Sequence, residues 1–221
     1  MSQMTRFGAL LGVQWKQQRK ELVVLTLLVA MLPSTILWTA RNDGPIGPLW
    51  YQSIGQSIGA IGAVAAVLIG SLLALRPFAF DAQTRHVYAM TLPVRRRDYS
   101  MFRIGTGVVL SLFPTAGVLV GALVAVQALP SGIGLRAFPG GLAARFLLAT
   151  VTAFAGAFAL QYGLGKRATR WALVAVTTIA ATELVGQLLL HTSLTTPFFQ
   201  ALVSQWSPLR IFVTRWTLFD V

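Results

Sequence analysis

Cysteine is absent from this chain of 221 residues. Its absence removes disulfides and thiolate metal ligation, and leaves the redox compartment open. Acidic residues are scarce too: 6 Asp and Glu stand against 18 Lys and Arg, and histidine occurs twice, for a net charge of +12. With so few carboxylates, scattered along the chain, a membrane hydrolase has little to work with. No glycine-rich phosphate loop ending in Lys and Ser or Thr occurs, so ATP hydrolysis is not intrinsic. His86 and His191 are expected on opposite faces of a membrane and so cannot share a metal. The expectation is a chain that is not an enzyme, with no catalytic residue, cofactor or metal site.

Charge of either sign makes up only 11% of the residues, where a soluble domain carries about 25%. What is present instead is hydrophobic: 55% of the chain, with a mean hydropathy of +0.69. At about 20 residues per crossing, the length accommodates about five or six transmembrane helices and leaves no room for a separate soluble domain. The basic residues sit between the apolar runs. That is the pattern of the positive-inside rule, with anionic lipids rather than nucleic acid as the counter-charge. A cleaved signal peptide is disfavoured, because a cut after Ala40 would put Trp38 where a small residue is wanted.

These features predict an all-α, polytopic transmembrane bundle occupying 1–221 as a single domain. Within residues 1–20, Met4, Phe7, Leu11 and Trp15 recur three or four apart, with Arg6, Gln14, Gln17 and Gln18 elsewhere. This spacing predicts an amphipathic helix lying in the membrane interface. Five clear spans follow within 21–190, at about 21–40, 54–75, 104–128, 146–164 and 171–190, with Pro33 a place for a kink in the first. Gly117 and Gly121, four apart in the third span, would let helix backbones approach closely. The segment 191–221 is interrupted by Pro208, Arg210 and Arg215. It reads as outer interfacial or re-entrant structure and does not make a clean sixth crossing, which leaves open a chain truncated before a last helix or a departure from the usual architecture. The 76–103 loop holds Arg76, Arg85, Arg95, Arg96, Arg97 and Arg103. With the N-terminus, it is expected to face the cytoplasm, leaving Arg41, Arg136, Arg145, Arg210 and Arg215 outside.

Within that loop, Asp81 and Arg85 lie one helical turn apart, where opposite charges support a helix. Pro93 should stop the helix near Leu92. Asp98 or Ser100 is a plausible cap for the helix that follows. The run from Phe80-Asp81 through Met90-Thr91-Leu92-Pro93-Val94-Arg95-Arg96-Arg97-Asp98-Tyr99 resembles the loop between the second and third spans of type-two ATP-binding-cassette (ABC) exporter permeases. In that family an acidic residue opens a short coupling helix, and a turn of leucine, proline, valine or isoleucine, then arginine precedes the third span. The resemblance implies a permease subunit in a cell inner membrane. It would pair with a second permease subunit as a homo- or heterodimer, with a cytoplasmic ABC ATPase subunit docked beneath. Asp81, Thr84, Arg85, His86, Tyr88, Leu92 and Pro93 would form the ATPase contact. A bland alternative remains, in which the basic loop fixes topology and binds anionic lipid.

Glu183 is the one acidic side chain inside an expected span, so it needs a partner, water or a proton. It is a candidate for a pathway or subunit interface, with Gln187 and Gln161 as weaker candidates. A second function class stays open: a non-transporting scaffold or accessory subunit of a larger membrane complex.

Overall fold

The computed structural model describes residues 3–42, 61–77, 96–127, 136–185, 211 and 218–220. Four helices lie among them: α1 (Gln3–Asn42), α2 (Ile61–Pro77), α3 (Arg96–Gln127) and α4 (Pro139–Val185). Two short strands, β1 (Arg136–Ala137) and β2 (Phe219–Asp220), pair antiparallel, with Arg136 opposite Asp220 and Ala137 opposite Phe219. The chain forms two compact units, one of Met1–Ala157 with Arg215–Val221, the other of Phe158–Thr214.

The first unit is built on glycine. An ideal Cβ placed on Gly117 would lie 2.8 Å from both Cγ2 and the carbonyl oxygen of Thr26, and one on Gly121 would collide with the Ala30 carbonyl. No other residue lets the α3 backbone come this close to α1, and the four-residue spacing repeats the approach on the next turn. Further along the same seam, Phe7 packs edge-on against Phe102 at 6.1 Å and lies over Gly105. These contacts advance together along both helices, so α1 and α3 run parallel.

The other two helices return. Arg76 of α2 pairs with Glu21 of α1 at 2.5 Å, while Gly62 shares a small cavity wall with Val29, Leu32 and Pro33. Helix α2 is therefore antiparallel to α1. Leu142 and Phe146 of α4 line the same cavity with Val118, and the Phe154 ring fills the space over Gly107. The part of α4 in this unit thus runs antiparallel to α3. Its start is set locally. Pro139 occupies the first helical position, where a missing N–H costs nothing, and the Phe138 carbonyl accepts from the Leu142 amide at 3.1 Å. The Phe138 amide donates to the Leu218 carbonyl at 2.9 Å, which ties the buried Leu218 to this corner beside the β1–β2 pair.

The helices are apolar on both sides. Leu22, Val29, Ile69, Leu73, Leu110, Val118 and Phe146 form the core. Facing outward are Val23, Val24, Leu27, Leu28 and Met31 of α1, Ile61, Val64, Leu68 and Leu72 of α2, and Ile104, Val108, Leu112, Val120 and Leu123 of α3. Rows of exposed aliphatic side chains of this kind mark a surface suited to lipid or to other protein. Three hydroxyls inside the helices are satisfied locally: Thr115, Thr150 and Thr152 each donate to the carbonyl four residues back at 2.8 Å.

Several expectations need correction. Among the described residues only two helices are long and apolar enough to cross a membrane, Asp98–Gln127 and Pro139–Gln161, so the five clear spans are not supported. Of the expected second span, the described residues hold the helix Ile61–Pro77, which by itself is shorter than the about 20 residues a crossing needs, while 54–60 lie outside the described residues. The expected fourth span and residues 171–185 of the expected fifth fall on the single helix α4. Its Lys166, Arg167 and Arg170 were read as an inner loop on charge alone, yet no proline follows Pro139 in α4, and Lys, Arg and Ala are good helix formers. The expected interfacial helix at 1–20 is the first half of the continuous α1, packed along α3 with Leu10, Gln14 and Gln18 buried. Helix α3 begins at Arg96, so Asp98 lies in its first turn instead of capping it, where its charge still suits the helix dipole.

The glycine seam yields a paired prediction. Gly121→Ala should lower the melting temperature of the purified protein, corresponding to about 1–3 kcal/mol of overpacking. Gly12→Ala, where a Cβ would meet nothing within 4 Å, should leave it unchanged or raise it slightly. Thermal unfolding of both variants followed by circular dichroism is the check. Equal effects would mean that the seam is not closely packed.

Candidate functional site

Helix α1 presents a row at four-residue spacing, Leu10, Gln14, Gln18 and Leu22, and every member is buried. Two glutamines in an otherwise apolar row need polar partners, because an unsatisfied buried amide costs about 1–3 kcal/mol. For Gln14, 1% exposed, α3 supplies them. Its Oε1 accepts from the Thr106 hydroxyl at 2.6 Å and from an Arg103 guanidinium nitrogen at 3.5 Å. The single Thr106 proton can serve either Gln14 or the Arg103 carbonyl, 2.9 Å away.

Arg103 is 4% exposed, unusual for a residue whose charge is permanent. Its Nε donates to the Tyr99 hydroxyl at 3.0 Å, and its guanidinium carbon lies 5.3 Å from the centre of the Tyr99 ring. Tyr99, Arg103 and Thr106 stand at helical spacing on the first turns of α3, which starts only three residues after Pro93. The cluster pins that end of α3 to α1. Chemically it is a joint: a fixed cation, an amide and two hydroxyls. Among the described residues no group of three or more His, Cys, Asp or Glu is placed to hold a metal.

Gln18, one turn on and 3% exposed, is different. Neither its Nε2 nor its Oε1 has a hydrogen-bond partner. It lines a cavity of about 10 Å³ with Glu21, Leu22, Ile69, Leu73 and Arg76, room for a single water.

Sequence reading did not single out this cluster. It assigned Gln14 and Gln18 to the polar side of an interfacial helix and Arg103 to a loop. The available signal was the unbroken row through Leu10, Gln14, Gln18 and Leu22, continued by Val29 and Pro33, which all turn out buried. Of the residues expected to matter, Asp81, Thr84, Arg85, His86, Tyr88, Leu92 and Pro93 lie outside the described residues, as does Gln187. Glu183 falls within α4, but its side-chain surroundings lie outside the described residues. Gln161 is described and buried, at 8% exposure.

No family model, curated protein or solved structure matches this chain.

The joint can be tested by a double-mutant cycle. Gln14→Leu and Thr106→Val should each destabilise the fold. The pair should deviate from additivity by about 0.5–3 kcal/mol, as for groups sharing one hydrogen bond. Denaturant unfolding of the two single variants and the double variant measures this. Additive effects would mean that the bond contributes nothing.

Proposed function

We propose that the chain is the membrane-spanning permease subunit of an ABC-type exporter, using ATP hydrolysed by a cytoplasmic partner subunit. The observation that carries the reading is the run from Phe80-Asp81 to Leu92-Pro93-Val94-Arg95, with its resemblance to the coupling-helix loop of that family. Two helices long and apolar enough to cross a bilayer are consistent with a membrane protein, and so is the outward apolar surface of α1, α2 and α3.

The bundle adds a physical argument for topology. Because α1 and α3 run parallel and α2 returns, Lys16, Arg19 and Lys20 lie near the level of Arg76, and the Arg96-Arg97 start of α3 lies further out towards that same end of the bundle. A basic end of this kind favours the cytoplasmic side. The Tyr99–Arg103–Thr106–Gln14 cluster sits just beyond the Leu-Pro-Val-Arg turn. A push delivered there by an ATPase would reach α1 through the joint as well as along α3. The substrate class stays open.

Affinity purification from a detergent-solubilised membrane fraction tests the assignment. The tagged chain should co-purify with an ABC ATPase subunit. Replacing Asp81–Leu92 by a Gly/Ser linker should abolish that association while the melting temperature of the permease is retained. ATPase capture that survives the replacement would contradict the contact. Capture of other membrane proteins but never an ATPase would favour the scaffold reading.

A further inference from the structure

Residues of α1 and α2 line an open crevice of about 360 Å³: Lys20, Glu21, Val24, Leu25, Leu72 and Arg76. Its walls are chemically divided. One end carries Lys20 and the Glu21–Arg76 ion pair, and the other is apolar. Because the helices are antiparallel, the exposed Val24 and Leu72 lead on to the exposed Leu28 and Leu68. A strip of exposed aliphatic side chains thus leaves the charged end along both helices.

Charge decides the occupant. Two cations against one carboxylate leave the mouth of the crevice net positive, and Lys16 and Arg19 on the same helix add to that field. A basic mouth opening onto an aliphatic strip matches a molecule with an anionic head and a hydrocarbon tail. The second observation is the buried Gln18 amide, without a protein partner, in the wall of the adjoining small cavity, which shares Glu21, Leu25, Leu72 and Arg76 with the crevice. Its donor and acceptor need a polar group or a water from that side.

We propose that the α1–α2 crevice is a binding site for an anionic glycerophospholipid. Its phosphate lies against Lys20 and Arg76, one acyl chain runs along Val24, Leu72, Leu28 and Leu68, and Gln18 hydrogen-bonds towards the headgroup, directly or through one water. The site rests on the membrane reading, and Glu21 tunes it by competing with the phosphate for Arg76.

The competition gives the test a sign. The chain is reconstituted into vesicles of equal phosphatidylglycerol and phosphatidylcholine and floated on a density gradient. It is then extracted into detergent, and the retained lipids are quantified by native mass spectrometry. The wild type should float and retain phosphatidylglycerol preferentially. Lys20→Gln and Arg76→Gln should each lower that preference, by about fivefold for one basic side chain near an anionic headgroup. Glu21→Gln should raise it, because Arg76 is released to the phosphate. The ion pair is 57% and 40% exposed on its two sides, so none of these changes should unfold the protein. Gln18→Leu should lower lipid retention while raising the melting temperature, since it removes an unsatisfied buried amide. Flotation with equal retention of the two lipids overturns the site and leaves the membrane reading standing. Glu21→Gln and Arg76→Gln acting in the same direction would show a merely structural ion pair. Failure to float would overturn the membrane reading and the site together.

Discussion

The backbone contact between α1 and α3 at Gly117 and Gly121 is the constraint on which the rest of the first unit depends. Within a bilayer, apolar side chains gain little from leaving lipid for protein, so helices associate through close packing and polar contacts instead. The glycines supply the first, bringing α3 against the Thr26 and Ala30 carbonyls. Once that parallel pair is fixed, α2 and α4 can pack into the assembly only as returning elements, and they do so through Gly62, Gly70, Phe146 and Phe154.

Polar contacts act at the other end of the same seam. Glycine contact at 117 and 121 fixes the distance between α1 and α3 but is indifferent to small slides and rotations. The Gln14–Thr106 hydrogen bond is directional and permits neither. With Arg103 held between Tyr99 and Gln14, the start of α3 cannot move without moving α1 or breaking a buried bond. The arrangement therefore couples the start of α3 to α1, so that a displacement of one helix end is passed to the other.

The sequence made parts of this legible and hid others for identifiable reasons. Gly117 and Gly121 could be read as a contact motif because their spacing alone implies a small-residue face. The joint could not, because Gln14 is polar by type and only its partners on α3, some 90 positions away, make its burial tolerable. The span count failed where it relied on charge to mark loops. Arg76, Arg96, Arg97, Arg103, Lys166, Arg167 and Arg170 all lie within helices, since a helix can carry basic residues past the apolar layer without ending. The β1–β2 pair is two residues long on each side and leaves no periodicity to detect.

Helix direction and charge placement are independent properties of a chain, and here they agree. Nothing in packing over Gly117 and Gly121 requires Lys16, Arg19 and Lys20 to precede the apolar part of α1, or Arg96 and Arg97 to open α3. Had α1 and α3 been antiparallel, these groups would have fallen at opposite ends and cancelled as a topological signal. Because the two helices are parallel, both sets of charges lie towards the same side of the bundle, and Arg76, at the returning end of α2, joins those of α1. An insertion that reversed the bundle would have to carry all of these cations across the apolar layer together. Local consistency of this kind, between packing that sets direction and charge that sets orientation, is what lets a sequence specify a single arrangement in a membrane.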